Sequence, residues 1–183
     1  MTDNKGVEWN GVTEKMARQI LVQGELFLQT QVTLAVAADQ RASTAASILA
    51  SAATAIAAAF IAFWDKTADK AALIGGLTGA AMLMIAAGMA AYAARPTDFQ
   101  SPGNHPNKWF GGRRADLPGM IGGEAESVQR RIDKNDLILV ENQRWVRRAF
   151  QAALTAPFAA VLVWLIASSS FEWAAGRLAC FAA

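Results

Sequence analysis

Apolar and polar positions alternate on three scales along this chain. From residue 13 to 40 the spacing predicts a helix, with Thr13 as its N-cap and Glu14 favourably placed in the first turn. Its apolar residues (among them Met16, Ile20, Leu28 and Leu34) cover more than one face, so this helix is expected to pack against protein. No proline interrupts the run into the next stretch, so one helix is predicted to continue into an apolar span. From Ala42 to Trp64, from Ala71 to Ala94 and from Ala149 to Phe171 there is no Asp, Glu, Lys or Arg. These windows hold 23, 24 and 23 residues, and about 20 apolar residues suffice for a helix to cross roughly 30 Å of hydrocarbon. The predicted fold class is therefore all-α: an integral membrane protein with three transmembrane helices.

The connections differ in kind. Asp65 to Lys70 reads as a six-residue turn, making spans 42–64 and 71–94 an antiparallel hairpin. The 29 residues of 95–123 hold four of the five prolines and six of the fourteen glycines, and read as a loop. From 124 to 148 the pattern is helical again. Val128, Ile132, Asn135, Leu139, Asn142 and Val146 follow steps of four and three, a heptad seam with two asparagines, and asparagine at such positions fixes register and partner number. This amphipathic helix leads into the third span, 149–171, and a short tail, 172–183. Pro157 is expected to kink that span.

Within the first span hydroxyls recur at Thr44, Ser47, Ser51 and Thr54, spaced three, four and three, which lines them up on one helix face. Two readings stay open: helix packing, for which small polar residues are suited, or the lining of a pore built from several copies. Gly75 and Gly79 stand in GxxxG spacing on the second span and predict close helix approach.

Composition sharpens this picture. Hydrophobic residues make up 54% of the 183 and charged ones 17%, against about a quarter charged in ordinary soluble domains. The weak point is alanine: ten of the 21 residues from Thr44 to Trp64 are Ala, so a soluble alanine-rich bundle is the rival reading. The N-terminal stretch MTDNKGVEWNGVTEK has no basic-then-apolar signal pattern. Between spans two and three lie ten Lys and Arg, against two in the short turn and Arg177 in the tail. By the positive-inside rule the N-terminal helix (1–41), the loop and the seam helix are expected in the cytoplasm.

The chemistry offered is sparse. Cys180 is the only cysteine and His105 the only histidine, so no intramolecular disulfide, catalytic triad or multi-ligand metal site is expected, and no cofactor. No enzyme is predicted. Arg113, Arg114, Arg144, Arg147 and Arg148 are candidates for anionic lipid, or for a soluble anionic ligand such as a nucleotide near the aromatic loop residues. Seven acidic residues interspersed among the ten basic ones argue against nucleic acid.

The stretch AADQRASTAASIL carries a resemblance. Ala38, Asp39, Arg41, Ala42 and Ser43 are similar to an AD-x-[KR]-A-S pattern in small membrane effectors of bacterial anti-phage signalling, the Pycsar-type transmembrane effectors, with Arg41 where those proteins often carry Lys. Glu141 to Phe150 (ENQRWVRRAF) also resembles their basic approach to a last span, whereas the loop RPTDF…PGNHP has no counterpart there. The resemblance implies an oligomeric inner-membrane protein that impairs the membrane when a cyclic-nucleotide signal arrives. A plainer local role for Asp39 and Arg41 is a polar boundary, with Arg147 or Arg148 as partner for Asp39 and Glu141 for Arg41. The expected function is thus a membrane-perturbing or pore-forming homo-oligomer, with a non-catalytic subunit of another membrane protein as the alternative.

Overall fold

A computed structural model describes residues 12–67, 69–103 and 117–181. All regular structure among them is helical: α1 (Glu14–Thr67), α2 (Lys70–Ala93) and α3 (Leu117–Phe181). Each contains a stretch long and apolar enough to cross a membrane. The chain divides into two compact units, Met1–Ala38 with Pro96–Glu141, and Asp39–Arg95 with Asn142–Ala183.

The helix ends follow from local chemistry. Thr13 caps α1, its Oγ1 accepting from the Met16 N–H at 3.3 Å, and Glu14 pairs with Arg18 at 2.8 Å in the first turn. The turn predicted at 65–70 is shorter than expected. Helix α1 runs to Thr67, and Asp69 already caps α2, its carboxylate accepting from the Ala72 N–H at 3.1 Å. Helix α2 stops where the Ala94 N–H folds back on the Ala90 and Ala91 carbonyls, just before Arg95-Pro96, a dipeptide that disfavours helix at its first residue. Helix α3 starts at Leu117, seven residues before the predicted 124. Pro118 falls in its first turn, where a missing N–H costs nothing. It also continues past 171 to Phe181, because no proline lies between Glu172 and its end. Pro157 sits inside this helix without ending it.

In the unit built from Asp39–Arg95 and Asn142–Ala183 the interior is made of the smallest side chains. Its buried residues on α2 are Ala71, Gly75, Gly76, Gly79, Ala80, Ala86, Ala87, Ala90 and Ala93. A Cβ added at Gly75 would lie 2.9 Å from both the Ala160 carbonyl oxygen and the Trp164 Cβ; one at Gly79 would lie 3.1 Å from the Ala160 Cβ. Gly75 and Gly79 are therefore the positions at which α2 backs onto α3, where Ala156 is also buried. Gly76 serves the other neighbour, since a Cβ there would enter the Phe60 ring of α1. The large apolar residues of the same unit point outward. Ile48, Leu154, Phe158 and Leu162 are 63%, 70%, 76% and 59% exposed. A water-soluble core has the reverse arrangement.

The unit built from Met1–Ala38 and Pro96–Glu141 is held by a different device. On α1 the buried or half-buried positions Ala17, Leu21, Gly24, Leu28, Gln31, Ala35 and Ala38 recur in steps of four and three. Leu21, Gly24, Leu28 and Gln31 among them meet the α3 seam inside the chain. Val128 sits in the notch left by Gly24, and Leu28, Val128 and Ile132 form the apolar core, with Leu21 packed on it. At the next level the pairing is polar. Asn135 is fully buried; its Oδ1 accepts from the Gln100 N–H at 2.9 Å, while its Nδ2 donates to the Gln100 carbonyl at 3.0 Å and to Gln31 Oε1 at 3.5 Å. Gln31 in turn donates to Asp136 Oδ1 at 2.6 Å. Arg131 fastens the same segment, donating to the Gly103 carbonyl at 2.9 Å, at a glycine with φ of 87°.

Two outcomes test these packings. Gly75→Ala is expected to lower stability in detergent by about 1–3 kcal/mol through overpacking, whereas Gly88→Ala, with nothing within 4 Å of the new methyl, is expected to be neutral or stabilising. Thermal melting of both checks it. Asn135→Ala leaves the Gln100 amide and carbonyl without their partners and is expected to cost about 1–3 kcal/mol. Hydrogen exchange should then rise at residues 97–103 while the α2 interior stays protected.

Candidate functional site

The hydroxyl stripe of the first span is the most unusual surface of its unit. Thr44, Ser47, Ser51 and Thr54 are all exposed, while Ala42 and Ala53 on the same helix are buried. The stripe therefore turns away from α2 and α3 and does not serve packing between the helices of one protomer. Three of its hydroxyls donate back to the carbonyl four residues earlier: Thr44 to Gln40 at 2.8 Å, Ser47 to Ser43 at 2.7 Å and Thr54 to Ala50 at 2.9 Å. Their protons are satisfied within the helix, and their oxygen lone pairs are presented outward. Chemically this is a mildly polar, uncharged surface, without a nucleophile-and-base pair.

A second feature lies at the α2 C-terminal end of the same unit. The Tyr92 and Trp145 rings meet edge to face, with centroids 4.8 Å apart. Arg95 lies over the Tyr92 ring at 4.0 Å and Arg148 over the Trp145 ring at 5.1 Å. Aromatic rings with adjacent arginines suit the level where hydrocarbon gives way to headgroups. Tyr92, Trp145 and Arg95 are not among the residues that the sequence reading singles out; a tyrosine near the end of one uncharged window and a tryptophan four residues before another are the available signal. Arg144 and Arg147 are exposed on α3 close to Arg148 in sequence. Arg113, Arg114 and His105 lie outside the described residues.

Of the seam residues, Val128, Ile132 and Asn135 are engaged within the chain, as described above. Their partner is α1, so at these three positions the seam is an intramolecular joint rather than a free face. Leu139, Asn142 and Val146 are half-buried. The α1 half of this joint escaped sequence reading because its members are mostly Ala, Gly and Gln, which do not register as an apolar stripe.

Asp39 stands at the boundary of the uncharged window. Burial raises its carboxyl above the ordinary carboxylate value, and desolvation is the cause. The expected pairing with Arg147 or Arg148 is therefore not what sets its ionisation. Among the described residues no three His, Cys, Asp or Glu gather as a metal site. Comparison with known protein families, with curated proteins and with solved structures returns no match.

The Asp39 shift has a consequence of definite sign. A carboxyl whose pKa is raised by folding favours the fold when protonated. That contribution is complete below the unfolded value of about 3.9 and is lost as pH climbs through the raised folded value. Asp39→Asn is accordingly expected to melt at a higher temperature than the parent at pH 7, with the gap closing below about pH 4. Melting curves at the two pH values check it.

Proposed function

We propose that this chain is a multi-pass protein of the bacterial inner membrane, its N-terminus cytoplasmic, that assembles with copies of itself and permeabilises that membrane. The observation that carries this reading is the direction of the Thr44–Thr54 stripe. In a unit whose interior is filled by alanine and glycine and whose outside carries large apolar side chains, these four hydroxyls are aligned on the outside. Three membrane-competent helices are too few for one protomer to enclose a water path by itself. Several copies that turn this face toward a common axis enclose one, and a ring of hydroxyls is a suitable wall for hydrated ions.

Other features support the same reading. Three helices are long and apolar enough to cross a membrane. The basic residues gather between the second and third spans, which favours a cytoplasmic location for that segment. Arg95 and Arg148 over aromatic rings suit contact with anionic headgroups. The likeness of Ala38, Asp39, Arg41, Ala42 and Ser43 to Pycsar-type transmembrane effectors points to the same class of activity, and a cyclic nucleotide is the trigger it suggests.

One observation favours a second reading. Because Thr44, Ser47 and Thr54 return their protons to their own helix, the stripe is also compatible with an apolar partner. A non-catalytic subunit docked on another membrane protein would use it in that way.

Membrane potential in cells expressing the protein separates the two. For the permeabilising reading, a voltage-sensitive dye should report depolarisation that Ser47→Leu with Ser51→Leu abolishes. Depolarisation that persists in the double variant would remove the stripe from the conduction path.

A further inference from the structure

Within the unit of Asp39–Arg95 and Asn142–Ala183, two adjacent glycines of α2 receive the other helices. Gly75 backs onto α3 at Trp164, and Gly76 onto α1 at Phe60. From these glycines toward the α2 N-terminus lies a cleft of about 410 Å³. Phe60 and Phe63 of α1 form one wall and Val161 and Trp164 of α3 the other, with Ala72 between them on α2. Asp69 is the only ionisable residue lining it. It stands six residues from Gly75, about 9 Å along the helix axis at 1.5 Å per residue.

We propose that this cleft holds one phospholipid, its apolar tail between the aromatic walls and an ammonium-bearing head at Asp69. Size is the first argument. The volume falls within the roughly 300–1,000 Å³ of small-molecule sites. A partner helix about 10 Å across would fill it within a single turn of about 5.4 Å, too short a contact to hold a helix. A lone extended chain suits it better.

The second argument is the division of polarity. The cleft is apolar along its length and carries one carboxylate at one end, the pattern of an amphiphile with a long tail and a polar head. Its three helices are long and apolar enough to cross a membrane, so hydrocarbon is the medium expected around it. Phe63 and Trp164 are exposed on its two walls, which leaves the cleft open sideways to an entering tail. Phe60, half-buried against Gly76, closes its inner end.

Charge selects the head. An anionic head would meet the Asp69 carboxylate, whereas an ammonium is attracted to it. Asp65, Lys66, Asp69 and Lys70 around the turn sum to no net charge, so the turn offers no basic patch to draw an anionic head instead. Asp69 Oδ1 accepts from the Ala72 N–H at 3.1 Å as the α2 cap, and a carboxylate can accept several such bonds at once. Lipid in this cleft requires that the helices sit in a bilayer, as the reading above has it, and does not require a pore.

Fluorescence quenching in reconstituted vesicles tests this. Full-length protein that keeps Trp164 and has its other five tryptophans replaced by Phe is placed in unlabelled phosphatidylglycerol bilayers. A small fraction of tail-brominated phosphatidylethanolamine, or of tail-brominated phosphatidylglycerol, is then added. The ethanolamine lipid is expected to quench Trp164 several-fold more at equal fraction, and to saturate. Asp69→Asn keeps an N-cap of equal quality and removes the charge, so it is expected to bring the two lipids level. Ala72→Leu narrows the cleft and is expected to abolish the saturable quenching. Equal quenching by both lipids in the parent overturns the proposal, as does a preference that survives Asp69→Asn. Trp164 emission at the water-exposed wavelength in every bilayer would remove the membrane placement, and the lipid site with it. Ion leak from the same vesicles reports on permeabilisation alone, so either claim can fail without the other.

Discussion

Close approach of helix backbones is the constraint on which the membrane-competent unit depends. In hydrocarbon, apolar side chains gain nothing by leaving their surroundings for a protein interior, so helices associate through van der Waals fit and hydrogen bonds. Fit is best where no Cβ intervenes. Gly75 and Gly79 remove it on the α3 side of α2, and Gly76 removes it on the α1 side, at the Phe60 ring. The consequence is an inverted distribution, with alanine and glycine inside and phenylalanine, leucine and isoleucine outside. Against that background a polar outward side chain stands out, and the hydroxyl stripe acquires its meaning from the inversion around it.

The other unit relies on polar specification. A seam of leucine, valine and isoleucine alone would let α1 and α3 slide by a heptad with little change in burial. Asn135 prevents this, because its amide is satisfied only when it faces both Gln31 and the Gln100 backbone. Leaving it buried and unpaired in a shifted register would cost about as much as a lost hydrogen bond and its desolvation. The same amide reaches beyond the helix pair. By holding the Gln100 N–H and C=O it brings the segment after α2 onto α3, and Arg131 secures the Gly103 end. Asn135 thus sets the register, and together with Arg131 it holds the segment after α2 in place.

These two logics explain what the sequence revealed and what it hid. The three uncharged windows, the Thr13 cap and the α3 seam are written in residues whose character is strong, and they stand out in one dimension. The notch at Gly24 and the α1 face through Ala17, Ala35 and Ala38 are written in small residues. Their contribution is space, which becomes visible only when the neighbour that fills it is known. Helix ends failed for a similar reason. Residues 117–123 (LPGMIGG) carry a proline and three glycines and read as loop, yet Ile121 is buried and the run is helical. Tertiary burial outweighs a helix-propensity deficit of about 1 kcal/mol per glycine. The direction of the Thr44–Thr54 stripe was likewise undetermined from spacing alone, since a 3.6 period fixes which residues share a face and not what the face meets.

That direction has a thermodynamic implication for a protein of this kind. A hydroxyl placed in hydrocarbon with its proton unsatisfied would oppose insertion, at a cost of roughly 1–3 kcal/mol each on protein scales. Thr44, Ser47 and Thr54 avoid most of it by donating to their own helix, so the span can face lipid as a single copy. The oxygen lone pairs left over still favour water or a polar partner. For the proposed assembly this means that the stripe would be tolerated in a dispersed copy and rewarded between copies, with a difference small enough for other contacts to decide. The assembly proposed above would on this account not need to form on synthesis, since a small difference leaves the balance to other contacts.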